Sequence, residues 1–320
     1  MAAGSLRGII GPPQSPAVPS MNPTLGESVR GLPPTVEDLP APFVVSALPE
    51  EPLVVIEQRH SWINVDVPEL WRNRELLYFL IWRDIKVRYK QTFLGAAWAL
   101  LQPAFMMLIF TLVFGRLAGV SGGIPYPLFA LAGLVPWTFF ANAVANSGNS
   151  LVHNVQLVTK VYFPRMLMPA AAVLAGMVDL ALATLLLGGM MLYYSVRLTP
   201  HILMLPVLFG LTTLCAISTG MWMSALNVKY RDVRFALPFM IQLWLFGSSV
   251  VVPSTVVPPN LRWLLYLNPM SPIIEGCRAA LFSTPFHWKA LALATAITVA
   301  AFVAAAHVFK KTERGFADFI

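Results

Sequence analysis

Charged residues are scarce in this chain. Asp, Glu, Lys and Arg make up 12% of its 320 residues, whereas 57% are hydrophobic. Soluble globular domains carry about 25% charged residues, and such a domain cannot hide so much apolar side chain from water. The composition therefore excludes an ordinary water-soluble fold and indicates a protein that crosses a membrane several times.

Cysteine and histidine are also rare. The two cysteines, Cys215 and Cys277, are far apart, and Cys215 lies inside an apolar run, which argues against a disulfide framework. The five histidines never fall three or four residues apart, the spacing that would place two ligands on one helix face. We therefore expect no metal site.

Motifs for nucleotide binding and catalysis are missing too. A P-loop needs glycine directly before lysine, and none of the seven lysines follows a glycine. Neither a zinc-protease helix nor a nucleophile elbow occurs. Asp179 is the only acid within an apolar run, and either an interhelical hydrogen bond or a functional ionisable group would explain it. We expect no catalytic residue, no cofactor in this chain and no enzymatic activity of its own.

Residues 1–60 differ from the rest of the chain, since they are proline-rich and contain no long apolar run. This composition is typical of a disordered or polyproline-like tail. Residues 61–93 form an amphipathic region, in which Asp66 and Glu69 resemble a helix start and six bases lie beside apolar residues at helical spacing. We expect this basic amphipathic helix to lie in the membrane interface, and an ordinary solvated helix is the alternative.

Residues 94–309 contain six apolar runs long enough to cross a membrane. They are Leu94–Phe114, Leu128–Ala145, Pro169–Tyr194, Ile202–Leu226, Phe235–Val252 and Ala290–Phe309. Two shorter apolar pieces, Leu261–Leu267 and Ile273–Phe282, cannot span and predict re-entrant or interfacial helices on the outer side. The predicted fold is an all-α polytopic membrane protein. It has six transmembrane helices, an N-terminal amphipathic interface helix and two short re-entrant outer helices between spans 5 and 6.

The basic residues predict the orientation of these spans. With six spans, 17 of the 22 Lys and Arg residues fall on the side of the two termini. The positive-inside rule then places both termini, including a short tail at residues 310–320, in the cytoplasm. The net charge of +7 is thereby assigned to inside loops and not to nucleic-acid binding.

The first inside loop, residues 150–165, has its own pattern. Residues 146–149 are small and polar and are expected to end the second span. Leu151, Val155 and Val158 then follow at helical spacing, and Pro164 ends the segment. This pattern predicts a short helix with an apolar face for docking another protein, and a plain connecting loop is the alternative.

Four motifs occur in order along the chain. They are Arg83–Thr92 followed by Leu94-Gly95, Trp98 and Pro103; Lys160–Arg165 followed by Pro169; Asn227–Arg234; and Leu267–Met270 with Arg278. In this order they resemble the ABC-2 type polysaccharide export permeases, a family of O-antigen, capsule and teichoic-acid exporters. The resemblance covers residues 55–320 and leaves the proline-rich segment outside it.

The resemblance implies a homodimer of six-helix subunits, bound to two copies of a separate ABC ATPase that holds ATP and Mg²⁺. It implies that undecaprenyl-linked polysaccharide crosses the bacterial inner membrane between the subunits. It also implies three sets of site residues at matching positions. These are an ATPase-coupling segment with Leu151, Asn154, Val155, Val158, Lys160, Phe163 and Arg165; a lipid-pyrophosphate entrance with Arg83, Lys86, Arg88 and Lys90; and an outer gate with Trp263, Tyr266, Asn268, Pro269, Glu275 and Arg278.

Aromatic side chains suit a sugar path, because the apolar faces of sugars pack on rings. The candidates near the outer half are Tyr126, Trp137, Phe139, Phe140, Tyr193, Tyr194 and Trp244. An aromatic belt at the membrane interface is the alternative for these residues. Two other functions stay open: an ABC-2 drug or small-lipid exporter with the same fold, and a membrane glycan polymerase or ligase. The second is disfavoured because Glu275 is the only acid expected on the outer side.

Overall fold

The computed structural model describes residues 71–90, 95, 97–115, 123–161, 163–230, 232–250 and 253–313, and all regular structure in these ranges is helical. The helices are α1 (Arg74–Lys90), α2 (Ala97–Phe114), α3 (Tyr126–His153), α4 (Val155–Lys160), α5 (Leu167–Ala175), α6 (Met177–Tyr193), α7 (Leu205–Lys229), α8 (Val233–Phe246), α9 (Arg262–Leu267), α10 (Met270–Phe282) and α11 (Trp288–Glu313). The predicted tail at residues 1–60 and the predicted helix start at Asp66 and Glu69 lie outside the described residues. The all-α polytopic fold is confirmed.

Five helical segments are long and apolar enough to cross a membrane. They are α2, α3, Leu167–Tyr193 (α5 with α6), Pro200–Lys229 (a 3-10 turn with α7) and α11. The helix of the predicted fifth span, α8, has 14 residues and reaches about 21 Å, less than the hydrocarbon thickness of about 30 Å. Non-helical residues 247–250 continue the chain from its end. The predicted fifth span, Phe235–Val252, therefore stays a prediction.

The second span is longer than the sequence predicts. Helix α3 has 28 residues and continues to His153, so the expectation that residues 146–149 end it is wrong. These small and polar residues instead contact α7, where the Asn227 amide donates to the Gly148 carbonyl at 2.9 Å. Small residues allow two helices in a membrane to approach closely. Residues 146–149 therefore serve the packing of α3 against α7.

Gly220 lies where α7 passes close to α3. A Cβ at this position would lie 2.6 Å from the Ser147 Cβ, whereas a Cβ at Gly210 in the same helix would have nothing within 4 Å. We expect Gly220→Val to lower the free energy of unfolding by at least about 2 kcal/mol, because it overpacks the crossing. Gly210→Val is the matched control. Thermal unfolding of the purified protein checks the difference, and equal melting temperatures for the two variants would contradict it.

Two clusters of buried apolar side chains hold the helices together. The central core joins α3, α6, α7 and α10 through residues such as Leu128, Leu134, Phe140, Leu208 and Ile273. The basal core joins α1, α3, α4, α7 and α11 through residues such as Leu80, Leu151, Val158, Met221 and Phe309. The end of the bundle with this second core is called the basal end here, and the opposite end is called the distal end.

Helix α1 presents two different apolar faces. Leu80 is fully buried, and Leu77 and Ile81 pack beside it against the basal core. Tyr78 and Phe79 are exposed on another side of the helix, as suits aromatic residues at a membrane surface. The sequence predicts a helix lying on lipid, but the inner face of α1 is covered by protein.

Candidate functional site

A cavity of about 620 Å³ lies between α2, α3 and α6, and the C-terminal end of α1 also lines it. Its apolar wall includes Trp98 and Pro103 from α2, Phe139 from α3 and Leu180 from α6. Pockets of this volume, mostly apolar with a few polar groups, are typical of ligand sites. This cavity is therefore the candidate site.

A polar stripe runs along the α3 wall of the cavity. Thr138, Asn142 and Asn146 follow at intervals of four residues and share one helix face, opposite Gln102 of α2. The Asn142 amide donates to Gln102 Oε1 at 3.2 Å. A primary amide can both donate and accept several hydrogen bonds. The stripe can therefore exchange hydrogen bonds with a ligand that is rich in hydroxyl groups.

Asp179 of α6 lines this cavity. Its carboxylate forms an ion pair with the Arg88 guanidinium and accepts a hydrogen bond from the Tyr89 hydroxyl, both in the last turn of α1. The pairing offsets the cost of about 2.5–3.5 kcal/mol for an acid in a membrane helix. Burial, reinforced by the bond to Asp179, raises the pKa of Tyr89 above its usual value. The Tyr89 hydroxyl therefore keeps its proton and remains a donor.

The four predicted pyrophosphate contacts have different surroundings. Among the described residues, Arg88 alone of the four lines the cavity. Arg83 pairs with its neighbour Asp84 at 2.8 Å, and the Lys86 ammonium lies 5.2 Å from the centre of the Trp82 ring. Lys90 is exposed at the end of α1. The cavity therefore brings one of these bases, and not all four, to a candidate ligand site.

The seven aromatic candidates for a sugar path are distributed over three environments. Phe139 alone of the seven lines the cavity within the described part of the chain. Buried positions in the central core are occupied by Tyr126, Trp137 and Phe140. Tyr193 and Tyr194 contact each other edge to face at 5.1 Å, and Trp244 packs against Phe140 at 5.1 Å. Most of these rings therefore serve packing.

Arg278, predicted as a gate residue, is buried in α10. It donates to the carbonyls of Ser249 and Val250 at 2.5 Å each and to the Phe129 carbonyl at 3.2 Å. Its guanidinium also lies 3.7 Å from the centre of the Phe129 ring. Residues 247–250 follow the end of α8 outside the helix. A membrane tolerates non-helical backbone only where protein satisfies it. Arg278 provides that satisfaction and is no exposed gate.

Asn268 also binds the residues at the end of α8. Its amide donates to the Gly247 carbonyl at 3.0 Å and to the Ser248 hydroxyl at 2.8 Å. Its carbonyl oxygen accepts from Trp244 at 3.0 Å and from the Met270 backbone at 3.1 Å, so that it caps the start of α10. Asn268 therefore fixes the turn between the two outer helices to the end of α8.

The remaining gate candidates show that the two outer helices, α9 and α10, differ in burial. Trp263 on α9 is 64% exposed, and Tyr266 and Pro269 are half-buried. Glu275 on α10 accepts a hydrogen bond from the Ser254 backbone at 2.9 Å. Helix α10 is buried along almost its whole length. A movable gate thus remains a prediction for α9, whereas α10 is part of the packed core.

The predicted coupling segment folds as the end of α3 followed by α4, a helix of only six residues. Leu151 and Val158 are buried in the basal core, together with Phe163. The expectation that the apolar set forms a free docking face is therefore wrong, because α1, α7 and α11 already cover it. The exposed side of the segment carries His153, Gln156, Thr159 and Lys160.

Both ends of the coupling segment are fixed by hydrogen bonds. The Asn154 side chain donates to the Ser150 carbonyl at 2.8 Å, between α3 and α4. The Arg165 backbone and guanidinium donate to the side chain and carbonyl of Glu313, each at 3.0 Å. Val155 is half-buried. The segment is therefore attached to the C-terminal end of α11, which extends four residues into the predicted tail.

Metal ligands do not cluster in the part of the chain that the structure describes, where no three His, Cys, Asp or Glu side chains come together. Cys215 and Cys277 are buried free thiols. The cavity's own groups are amides, hydroxyls, aromatic rings and one ion pair, and they can bind and orient a ligand.

Sequence reasoning missed the polar stripe. Its signal was visible, since Asn142 and Asn146 stand four residues apart inside an apolar run, and Gln102 lies in the preceding run. Polar residues inside membrane helices generally face the bundle interior or a water-filled cavity. Applying that rule to amides as well as to acids would have found the site.

Comparisons with known proteins identify relatives of this chain. The chain is 30% identical over 259 residues to the O-antigen export system permease protein RfbA of Myxococcus xanthus, which covers 79% of this chain and 98% of that protein. It is 24% identical over 248 residues to the protein of the same name from Klebsiella pneumoniae, covering 77% and 95% of the two chains. The polysialic acid transport protein KpsM of Escherichia coli is 24% identical over 203 residues, 63% of this chain and 79% of that protein.

The family model for ABC-2 type transporters matches residues 75–282, from the beginning of α1 to the end of α10. This range includes every wall of the cavity and both outer helices. The resemblance carried by the four ordered motifs is thereby confirmed. The chain belongs to the ABC-2 type transporter family.

Proposed function

We propose that this chain is the membrane-channel subunit of an ATP-driven exporter that moves lipid-linked polysaccharide, of the O-antigen type, across the bacterial inner membrane. The observation that carries the proposal is the cavity with an amide stripe on one wall and the Trp98 and Phe139 rings on others. Amides bond to sugar hydroxyls, and aromatic rings pack on apolar sugar faces. Relatives named for O-antigen export and polysialic acid transport support the same substrate class.

A homodimer is part of the proposal. Helix α2 buries only Pro103 and Phe110 of its 18 residues, and α8 buries only Leu237 and Leu245. Both helices leave large apolar side chains exposed, and α2 is also a wall of the cavity. A second copy packed against these helices would enclose the cavity, and polysaccharide would then pass between two subunits.

A separate ATPase is the second partner. Since no P-loop occurs in the sequence, energy has to enter through a surface on the basal end. The exposed side of α4 fits this role, because its buried side belongs to a core shared with α1, α7 and α11. A displacement of α4 would thus be transmitted to α1, α7 and α11. Both termini are then cytoplasmic, as the basic residues predict.

The export assay tests the polar stripe. We expect the double substitution Asn142→Leu and Asn146→Leu to reduce glycan at the cell surface about tenfold. It removes hydrogen bonds worth about 0.5–1.5 kcal/mol each, and about 1.4 kcal/mol corresponds to a factor of ten. Surface glycan and membrane protein level are measured in cells whose own permease gene is deleted.

Thr295→Leu is the matched control, since Thr295 is an exposed polar residue in α11 whose hydroxyl donates to the Leu291 carbonyl of its own helix at 2.8 Å. This variant should export normally. Normal surface glycan in the deletion strain itself would refute the proposed function. Normal export by the double variant would show that the polar stripe does not contact the exported polysaccharide.

A further inference from the structure

A second cavity, called the distal cavity here, lies between the first turns of α3, helix α10 and the first turns of α11. Its volume is about 290 Å³. Phe129 of α3 lines the distal cavity, whereas Thr138 of the same helix lines the larger cavity with the polar stripe. These two residues are about two and a half turns apart and therefore lie on opposite faces of α3. The distal cavity is thus a separate site.

Part of the wall of the distal cavity is exposed. Thr284 and His287 belong to residues 283–287, the non-helical link between α10 and α11, and both are exposed residues that line the cavity. Arg278 and Ala279 form a buried part of the wall on α10. A ligand can therefore reach this cavity from the side of the link.

Glu275 of α10 supplies a carboxylate to the wall. Its Oε1 accepts a hydrogen bond from the Ser254 backbone at 2.9 Å, whereas its Oε2 is enclosed and has no hydrogen-bond partner among the described residues. A buried polar atom without a partner is rare in native proteins and calls for an explanation. Rotation about the last bond of a glutamate side chain is soft, so the carboxylate can turn toward the cavity. It then offers an acceptor to a ligand.

The charges of the wall favour a neutral ligand. Glu275 and Arg278 both line the distal cavity, three residues apart on α10, and they interact electrostatically. A cation would be repelled by Arg278, and an anion would be repelled by Glu275. A hydroxyl group avoids both costs, because it donates to a carboxylate without bringing a charge, and such a bond is short and strong.

The rest of the wall suits a sugar ring. Phe282 and Leu291 line the cavity beside the polar side chains of Thr284 and His287. The apolar face of a sugar packs on an aromatic ring, and hydroxyl and imidazole groups exchange hydrogen bonds with sugar hydroxyls. Ligand pockets generally measure about 300–1,000 Å³, so a cavity at the lower end of this range has room for one sugar residue and not for a chain.

We propose that the distal cavity binds one neutral sugar residue, whose hydroxyl groups donate to the Glu275 carboxylate. The proposal rests on the proposed function only for the source of that residue, the polysaccharide on the outer side. The Ser254 N–H competes with the sugar, because it already donates to the same carboxylate. The affinity is therefore lowered according to the fraction of time that Glu275 spends on Ser254.

Sugar binding at Glu275 would also change how the segment before α9 is held. Ser254 begins the 3-10 turn Ser254–Val256 in that segment, and its bond to Glu275 attaches the turn to α10. Helix α9 has no buried residue, whereas α10 is buried along almost its whole length. A sugar that takes over the carboxylate releases this attachment, so the segment that leads to α9 becomes less restrained.

The test measures binding of methyl α-D-mannoside and methyl α-D-galactoside to the purified full-length permease in nanodiscs, by saturation-transfer NMR. We expect saturable binding to wild type. Glu275→Gln should weaken it at least about tenfold, because it removes the charge and replaces one acceptor oxygen by a donor. Asp232→Asn is the matched control, since Asp232 is an exposed acid before α8, and it should stay within about twofold of wild type.

Ser254→Pro tests the competition by its sign. Ser254 is the first residue of its turn and follows Pro253, whose backbone is extended, so proline can be accommodated there. The substitution removes the competing N–H, and we expect about threefold tighter glycoside binding. A purely structural role for the bond between Ser254 and Glu275 predicts unchanged or weaker binding, and that result overturns the proposal.

Ala279→Leu tests the cavity without altering the carboxylate. Ala279 is buried and lines the distal cavity, so a leucine side chain there would occupy part of the space for the sugar. We expect this variant to lose glycoside binding. Ala301→Leu is its control, since Ala301 is exposed on α11. If Glu275→Gln does not fold, this pair decides the question, because glycoside binding retained by Ala279→Leu overturns the proposal.

The remaining outcomes separate other ligands and other sites. No saturable binding overturns the proposal, as does equal binding by wild type and Glu275→Gln, since a sugar held only by the polar stripe would not respond to Glu275. Tighter binding of choline than of the glycosides would identify a cation site, and equal binding of glycerol would identify a site for simple diols. Either result overturns the assignment to sugar.

Surface glycan in the deletion strain distinguishes this proposal from the proposed function. Glycoside binding that depends on Glu275, together with normal surface glycan in that strain, would refute the proposed function and leave the distal site standing. Loss of surface glycan in that strain, together with no glycoside binding to the purified permease, would overturn the distal site alone.

Discussion

Replacing Leu151 and Val158 by aspartate will destabilise the subunit itself, and will not simply detach it from an ATPase. Both side chains are buried in the basal core, at 0% and 3% exposure. Removing a buried leucine costs about 2–5 kcal/mol, and leaving a carboxylate in its place adds several more. We expect the double variant to lose more than about 4 kcal/mol of stability. Membrane protein level and thermal unfolding in detergent measure the loss.

The exposed side of the same helix provides the matched variant. Gln156→Glu with Lys160→Glu changes the surface charge of α4 without touching the basal core, since both residues are exposed. We expect this variant to fold and insert normally but to lose most of its ATPase in co-purification. Normal protein level for the aspartate variant would contradict the burial argument. Full ATPase binding by the charge variant would place the docking surface elsewhere.

The buried and exposed faces of this segment show what the sequence can predict and what it cannot. The spacing of Leu151, Val155 and Val158 predicts an apolar helix face, and an apolar face does form there. Spacing does not reveal which protein covers that face. The basal core assembles residues more than 200 positions apart, from Leu80 to Phe309, and only the fold shows that they meet.

The long apolar runs were predictable because a membrane helix needs about 20 apolar residues in a row. The ends of those runs were not predictable in the same way. Small and polar residues such as Ser147 and Gly148 resemble a turn in sequence, yet a close helix crossing needs the same residues. Asp179 was recognisable as unusual, but its partners Arg88 and Tyr89 lie about 90 residues away.

Removing the Arg278 guanidinium will destabilise the distal end of the helix bundle, where α8 and α10 meet. The Arg278 side chain is 5% exposed and satisfies carbonyls from Ser249, Val250 and Phe129. A buried polar group left without its partner costs about 1–3 kcal/mol. We therefore expect Arg278→Leu to lower the free energy of unfolding by at least about 3 kcal/mol. Thermal unfolding and the yield of monodisperse protein after detergent extraction measure the effect.

Arg278→Lys and Gly133→Ala test whether the fork geometry matters and not only the charge. A lysine ammonium is a point charge that cannot follow the planar fork or stack on the Phe129 ring, so it should recover less than half of the loss. A Cβ at Gly133 would lie 3.1 Å from Arg278 Cζ and should displace the guanidinium while leaving it in the chain. Arg197→Leu is the control, since Arg197 is exposed. If Arg278→Lys were as stable as wild type, charge alone would satisfy these carbonyls, and the fork would not be what holds the end of α8.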